Sequence, residues 1–186
     1  MKKNLFDPEK LLPEFDNFLH QKGVKFEAVV IGSGALTIMG FLQRQTVDID
    51  VLDPKIPEKI IRLASEFRIQ KEKEGTYLIE NWINNGPDKL LLNLPKGWSS
   101  RTQLFFNGKA LTFVTLGRPD LLKDKLWGFC DLREQDRSVI LALKPSRSEL
   151  LETVKWVKDQ EAHPSWPDHV DSKVKELFKV LGYEFQ

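Results

Sequence analysis

Two aspartates separated by one residue, Asp48 and Asp50, are the residues of this sequence best suited to chemistry. Residues 47–51 alternate aliphatic and acidic side chains, so on a strand both carboxylates would point to one face of the sheet. Two carboxylates on one face can share a divalent cation such as Mg²⁺ or Mn²⁺, and the cation keeps both of them ionised. The same alternation occurs on edge strands with one wet face, so the pair alone leaves a structural role open.

A glycine turn precedes the acid pair. The apolar run 28–31 leads into Gly32, Ser33 and Gly34, and apolar residues then recur at near-helical spacing over 35–42. This pattern predicts a strand, a tight turn and a helix. Glycine allows a positive φ and close approach of the backbone, and the N–H groups at the start of a helix bind anions such as phosphate. Ser33 would add a hydroxyl donor or cap the helix, although any strand-to-helix turn uses Gly and Ser.

The turn and the acid pair together resemble the nucleotidyltransferase superfamily typified by DNA polymerase beta. In that superfamily a Gly-Ser or Gly-Gly turn holds nucleotide phosphates and a following D-x-D strand binds metal. The sequence looks most like small bacterial nucleotidyltransferase-like proteins related to abortive-infection toxins, and the matching residues are Gly32, Ser33, Ala35, Leu36, Gly40, Arg44, Thr46, Asp48 and Asp50. The resemblance implies an α/β (α+β) fold: a nucleotidyltransferase-like mixed β-sheet with helices packed on it and a C-terminal helical appendage.

The resemblance also implies an activity, the transfer of a nucleotidyl group from a nucleoside triphosphate (NTP) to a hydroxyl on a protein, a tRNA or a small molecule. Mg²⁺ or Mn²⁺ would be the cofactor, held by Asp48 and Asp50, and the residues of the glycine turn (Gly32, Ser33 and Gly34) would cradle the phosphates. Arg44 either contacts a phosphate or pairs with one of the two acids to hold the strand. The identity of the NTP and of the acceptor stays open.

The third acid of the family is expected on a later strand, which the resemblance places at residues 89–94, KLLLNL, with Asn93 in the acid's position. An amide oxygen can ligate a metal, but it brings no charge and cannot take a proton from a hydroxyl. We therefore expect a weakened enzyme, an enzyme whose base comes from elsewhere, or a nucleotide-binding or toxin–antitoxin partner module that does not react. Asp88 is a substitute candidate, but its odd spacing from Asn93 puts it on the opposite strand face.

A second block of resemblance covers residues 119–143. By position, Lys125 matches a family lysine, which is a mobile charge suited to a triphosphate. Arg133 and Asp136 match the polar residues that follow it. The alternative is that Lys123 and Lys125 are ordinary solvated helix lysines.

Composition and length favour one domain at 1–143 with a helical extension at 144–186 packed on it. The 28 basic and 27 acidic residues give a net charge of +1, so no global field attracts nucleic acid or anionic lipid. The lone Cys130 excludes an internal disulfide and is expected to be a buried hydrophobe. No apolar run approaches a membrane span, so we expect a cytoplasmic protein. Its expected partners are an NTP and, as the resemblance allows, a toxin or antitoxin protein or an RNA acceptor.

The remaining patterns predict further elements. Strands are expected near 76–80, after a solvated charged turn at 71–74, and on either side of a two-residue turn at Asn107-Gly108. Trp82 and Trp98 would pack in the core or its rim, or stack on a base. Helices are predicted from Pro8 to a stop at Gly23, from Pro57 to Phe67, from Pro119, from Glu149 to Lys158 with Ser148 as cap, and from Asp168 to Leu181.

Overall fold

A computed structural model describes residues 5–32, 36, 45–86 and 88–185. The predicted site residues Ser33, Gly34 and Arg44 lie outside the described residues. The chain divides into two compact units, Met1–Leu92 with Gly97–Leu116, and Asn93–Lys96 with Gly117–Gln186. The sequence-based boundary at residue 143 stays a prediction.

The first unit contains a five-stranded sheet in the order β3-β2-β1-β5-β4. Strand β2 is parallel to β3 and antiparallel to β1, and β5 is parallel to β1 and antiparallel to β4. The predicted mixed sheet is therefore confirmed. The elements are α1 (Pro8–Gln21), β1 (Phe26–Ile31), β2 (Ile49–Asp53), α2 (Glu58–Lys73), β3 (Ile83–Asn84), β4 (Gln103–Asn107) and β5 (Leu111–Thr115), with 3₁₀ helices at Asp88–Asn93 and Trp98–Arg101.

Helix α1 is built as the sequence predicts. Asp7 caps it by accepting the Glu9 N–H at 3.1 Å, and Pro8 occupies the first turn. The helix ends before Gly23, whose φ of 64° is the left-handed conformation that favours glycine. Its buried face packs into a core shared with the sheet and α2.

Trp82 lies at the centre of that core. It is fully buried, its ring meets Phe15 edge-on at 5.0 Å, and its indole N–H donates to the Ala64 carbonyl at 3.2 Å. Stacking of Trp82 on a nucleotide base is therefore excluded. Its carbonyl accepts the Ile49 N–H at 2.6 Å, which fixes the start of the strand that carries Asp50.

The second unit contains four helices among the residues described: α3 (Arg118–Asp131), α4 (Asp136–Leu143), α5 (Arg147–Lys158) and α6 (Trp166–Val180). Ser146, not the predicted Ser148, caps α5. Its hydroxyl accepts the Glu149 N–H at 3.2 Å while the Glu149 carboxylate accepts the Ser146 N–H at 2.7 Å. Cys130 is buried as predicted, and burial raises the pKa of its thiol to about 12.

Three local predictions are wrong. Helix α2 runs six residues past Phe67, and Lys71 is buried because it pairs with Glu14 at 2.5 Å and Glu74 at 2.6 Å, so the charged run is not a solvated turn. Residues 76–80 form no strand. Residues 89–94 are no strand either, because most of them belong to the 3₁₀ helix Asp88–Asn93, where Leu92 is 88% exposed.

The predicted hairpin is confirmed, although residues 108–110 connect its strands rather than a two-residue turn. Asp16 of α1 accepts the backbone N–H groups of Lys109, Ala110 and Leu111 at 3.1, 2.8 and 2.8 Å. The carboxylate thus replaces the hydrogen bonds that a tighter turn would have supplied. Among the described residues, no helix combines the length and apolar character needed to cross a membrane.

Candidate functional site

The carboxylate of Asp50 lies directly against the backbone of Gly32. Strand β1 ends at Ile31, which pairs with Asp50 in the sheet, so the next residue, Gly32, lies close to the acid. A methyl carbon placed on Gly32 would lie 2.5 Å from Asp50 Oδ2, and the φ of Gly32 is 83°. Both the contact and the backbone angle require glycine at this position. The structure therefore brings together two of the predicted site residues.

A second glycine borders the same carboxylate from the other side. A methyl carbon on Gly86 would lie 3.4 Å from Asp50 Oδ1 and 2.7 Å from the side-chain oxygen of Asn84. The Gly86 N–H donates to that Asn84 oxygen at 2.5 Å. Asp50 is thus flanked by two glycines, and the space that a side chain at either position would need is taken up by the carboxylate of Asp50 and the amide of Asn84.

Asp48 immediately precedes β2 and is half-buried. Ile49 and Val51 are buried while the two acids are less so, which agrees with the predicted alternation of faces. Burial raises the pKa of the Asp48 carboxyl. A cation beside Asp48 would offset this effect, because it favours the ionised form.

The segment leading to Asp48 is fixed by the N-terminal residues. Phe6 and Thr46 form a backbone bridge with N–H to carbonyl distances of 2.8 and 2.9 Å, and the Thr46 hydroxyl donates to the Asp48 carbonyl at 3.1 Å. Both residues are buried, so the approach to the acid pair is anchored in the core.

Asn84 is the residue that pairs with Asp50 across the sheet. Asn84 lies on β3 and pairs with Asp50 in the register of the parallel strands, whereas Asn93 is an exposed residue of a 3₁₀ helix. The strand expected at 89–94 is replaced by β3, which is only two residues long. The sequence did not predict β3 because a strand of two residues cannot display an alternating pattern. The available signal was an apolar pair, Trp82-Ile83, followed by amides and a glycine.

Lys125 belongs to a buried charge cluster in the second unit. Its Nζ lies 2.9 Å from Asp124 Oδ2 and 3.6 Å from Asp136 Oδ1, and its side chain is 6% exposed. Arg133 contacts the same acids, at 2.9 Å from Asp124 and 3.3 Å from Asp136. Lys125 is therefore not a solvated helix lysine. Lys123 is not one either, since its side chain is 14% exposed and lies 3.5 Å from Glu152.

The acids of this cluster respond differently to burial. For Asp124, burial acts to raise the pKa, but the charges of Lys125 and Arg133 outweigh it and hold the pKa below its usual range. For Asp136, burial prevails over the same two cations and raises the pKa. The cluster holds α3 and α4 together, and phosphate binding by Lys125 stays a prediction.

Asp48 and Asp50 are the carboxylates that could hold a hard divalent cation, and Asn84 lies beside Asp50 in the sheet. Within the described ranges, no group of three or more His, Cys, Asp or Glu side chains could hold a metal ion. Carboxylate and amide oxygens are donors of the kind that suits a cation keeping water and phosphate oxygens as its other ligands.

Comparison with known proteins identifies a family. A sequence model described as "nucleotidyltransferase of unknown function" (DUF6036) matches residues 9–159, and the chain therefore belongs to that family. The match spans parts of both compact units. No curated protein and no solved structure matches the chain.

Proposed function

We propose that this member of the nucleotidyltransferase family binds an NTP with Mg²⁺ or Mn²⁺ at the Asp48–Asp50 pair and transfers the nucleotidyl group to a hydroxyl acceptor. The observation that carries the proposal is the contact between the Asp50 carboxylate and the backbone of Gly32. A metal ligand beside a phosphate-binding turn is the arrangement that NTP chemistry requires, because the cation must touch both the carboxylate and the phosphates.

The chain's own residues would contribute mainly positioning. Backbone N–H groups from Gly32 onward would hold phosphate oxygens, and the two acids would fix the nucleotide's cation. The bound cation would stabilise charge on the departing pyrophosphate and lower the pKa of the acceptor hydroxyl. Burial raises the pKa of the Asp48 carboxyl, and a bound cation would oppose this effect because it favours the ionised form.

A second candidate function is a nucleotide-binding module that acts through a protein partner, such as half of a toxin–antitoxin pair. Asn84 favours it, since an amide cannot act as a base and its oxygen already accepts the Gly86 N–H. Such a module would bind an NTP with its metal and leave the nucleotide intact.

The test incubates the purified protein with each labelled NTP, Mg²⁺ or Mn²⁺, and cell RNA or lysate. The variants are Asp48→Asn and Asp50→Asn, and the matched control is Asp53→Asn, an exposed acid at the end of the same strand. Label transfer that both site variants abolish and the control retains supports the enzyme. Metal-dependent NTP binding without transfer supports the module. NTP binding and label transfer that are unchanged in both Asp48→Asn and Asp50→Asn would refute both functions.

A further inference from the structure

Asn85 joins the turn after β3 to the chain that leaves β2. Its side-chain oxygen accepts the Ile56 N–H at 2.7 Å, and its amide group donates to the Val51 carbonyl at 3.0 Å and the Pro54 carbonyl at 3.3 Å. All three partners are backbone atoms, so one side chain replaces the hydrogen bonds that a longer β3 would have made.

The two neighbours of Asn85 are the residues that border Asp50. Asn84 is held by its register with Asp50, and Gly86 lies against the same carboxylate. Because Asn85 lies between them and is held by three hydrogen bonds, the backbones of Asn84 and Gly86 have little conformational freedom. Any shift of the Asn85 side chain would therefore move both Asn84 and Gly86 relative to Asp50.

We infer that Asn85 is a positioning residue that holds Asn84 and Gly86 against Asp50 and so sets the affinity of the site for a divalent cation. This inference rests on the proposed function. Only a side chain with both an acceptor and two donors in one plane satisfies these partners. An aspartate would keep the bond to Ile56 but place a carboxylate beside two carbonyl oxygens.

The experiment titrates Mn²⁺ with and without ATP, followed by the electron paramagnetic resonance of the free ion. Removing a residue that orients a metal ligand typically weakens metal binding by roughly 10–100-fold. We expect Asn85→Ala to lower the Mn²⁺ affinity by a factor of that size. Asn85→Ser, which keeps part of the hydrogen bonding, should lose less and serves if the alanine variant fails to fold.

The matched control is Asp16→Ala, which also removes three hydrogen bonds to backbone atoms in the first unit. Its partner Leu111 pairs with Phe26, at the opposite end of β1 from Gly32. The control should lose stability and keep the Mn²⁺ affinity of the wild type. A general loosening of the fold would weaken Mn²⁺ binding in both variants and would overturn the inference.

A double substitution separates this inference from the proposed function. If Asn85 acts through Asp50, then Asn85→Ala should not weaken Mn²⁺ binding further once Asp50→Asn is present. Wild-type affinity in Asn85→Ala, with binding lost in Asp50→Asn, would overturn the positioning role alone. Mn²⁺ binding that Asp50→Asn leaves unchanged would overturn the proposed site and this inference with it.

Discussion

The substitution Asn84→Asp restores a carboxylate where the sheet places a residue beside Asp50. The new side chain has the same shape and can still accept the Gly86 N–H, but it loses the hydrogen bond that the Asn84 amide group donates to the Asn81 carbonyl at 3.3 Å. It adds one negative charge to a site that already has Asp48 and Asp50. We expect the metal-free protein to lose stability and the metal-bound protein to gain it.

The magnitude follows from the distances at Gly86. A methyl carbon placed on Gly86 would lie 2.7 Å from the side-chain oxygen of Asn84 and 3.4 Å from Asp50 Oδ1. The two oxygens are therefore at most about 6 Å apart. Two unit charges at that distance, with an effective dielectric constant of about 20, repel each other by about 3 kcal/mol. Solvent at this half-buried site reduces the effect, so we expect a loss of roughly 1–3 kcal/mol without metal.

The assay is urea unfolding at neutral pH, with and without saturating Mg²⁺. Added Mg²⁺ should stabilise Asn84→Asp more than the wild type, because a cation that binds only the folded state shifts the equilibrium toward it. If the wild type is a weakened enzyme, the labelled-NTP assay should also show a gain of transfer.

The matched control is Asn93→Asp, which adds the same charge to an exposed residue of a 3₁₀ helix. It should change neither the stability nor the Mg²⁺ response by more than about 0.5 kcal/mol. Equal behaviour of the two variants, or an Mg²⁺ response of Asn84→Asp identical to that of the wild type, would refute the placement of the third position at Asn84.

Three further predictions test other parts of the structure. Gly32→Ala should abolish metal-dependent NTP binding, measured by calorimetry, because its methyl group would overlap the neighbouring carboxylate. Asp16→Ala should lower the unfolding free energy by about 2–4 kcal/mol in urea, since three backbone N–H groups lose their acceptor. Burial acts to raise the pKa of Asp16, but those N–H groups outweigh it and lower the pKa. The stability that depends on the ionised carboxylate is therefore lost at low pH, and the difference from wild type should shrink as pH falls through the lowered value. Asp124→Asn should lower stability by about 3–5 kcal/mol, whereas Glu176→Gln, in an exposed pair, should change it by less than about 1 kcal/mol.

Elements with local signals could be predicted from the sequence. Helix α1 is bounded by a capping aspartate, a proline in its first turn and a glycine after its end, and each acts through the backbone of its own segment. The approach of Gly32 to Asp50 was predictable for a related reason. A turn after one strand and an acid on the next strand meet once the two strands pair.

Elements that depend on distant partners could not be predicted this way. Lys71 lies in a charged run that looks solvated in the sequence, and its burial depends on Glu14, a residue 57 positions earlier in another helix. The three leucines at 90–92 suit a strand or a buried helix equally well by composition. The local sequence therefore predicts neither the burial of Lys71 nor the conformation of these leucines. Both depend on which parts of the rest of the chain pack against them.

Asn84 shows the same limit at the site itself. Resemblance to a family assigns the third position by a pattern of neighbouring residue types, and that pattern pointed to Asn93. A cation responds only to the oxygens within about 2–3 Å of it, whatever their separation in the sequence. Strand register therefore outweighs sequence pattern, and the register pairs Asp50 with Asn84. Both positions carry asparagine, so an amide in place of an acid stays a prediction whichever of the two residues is tested.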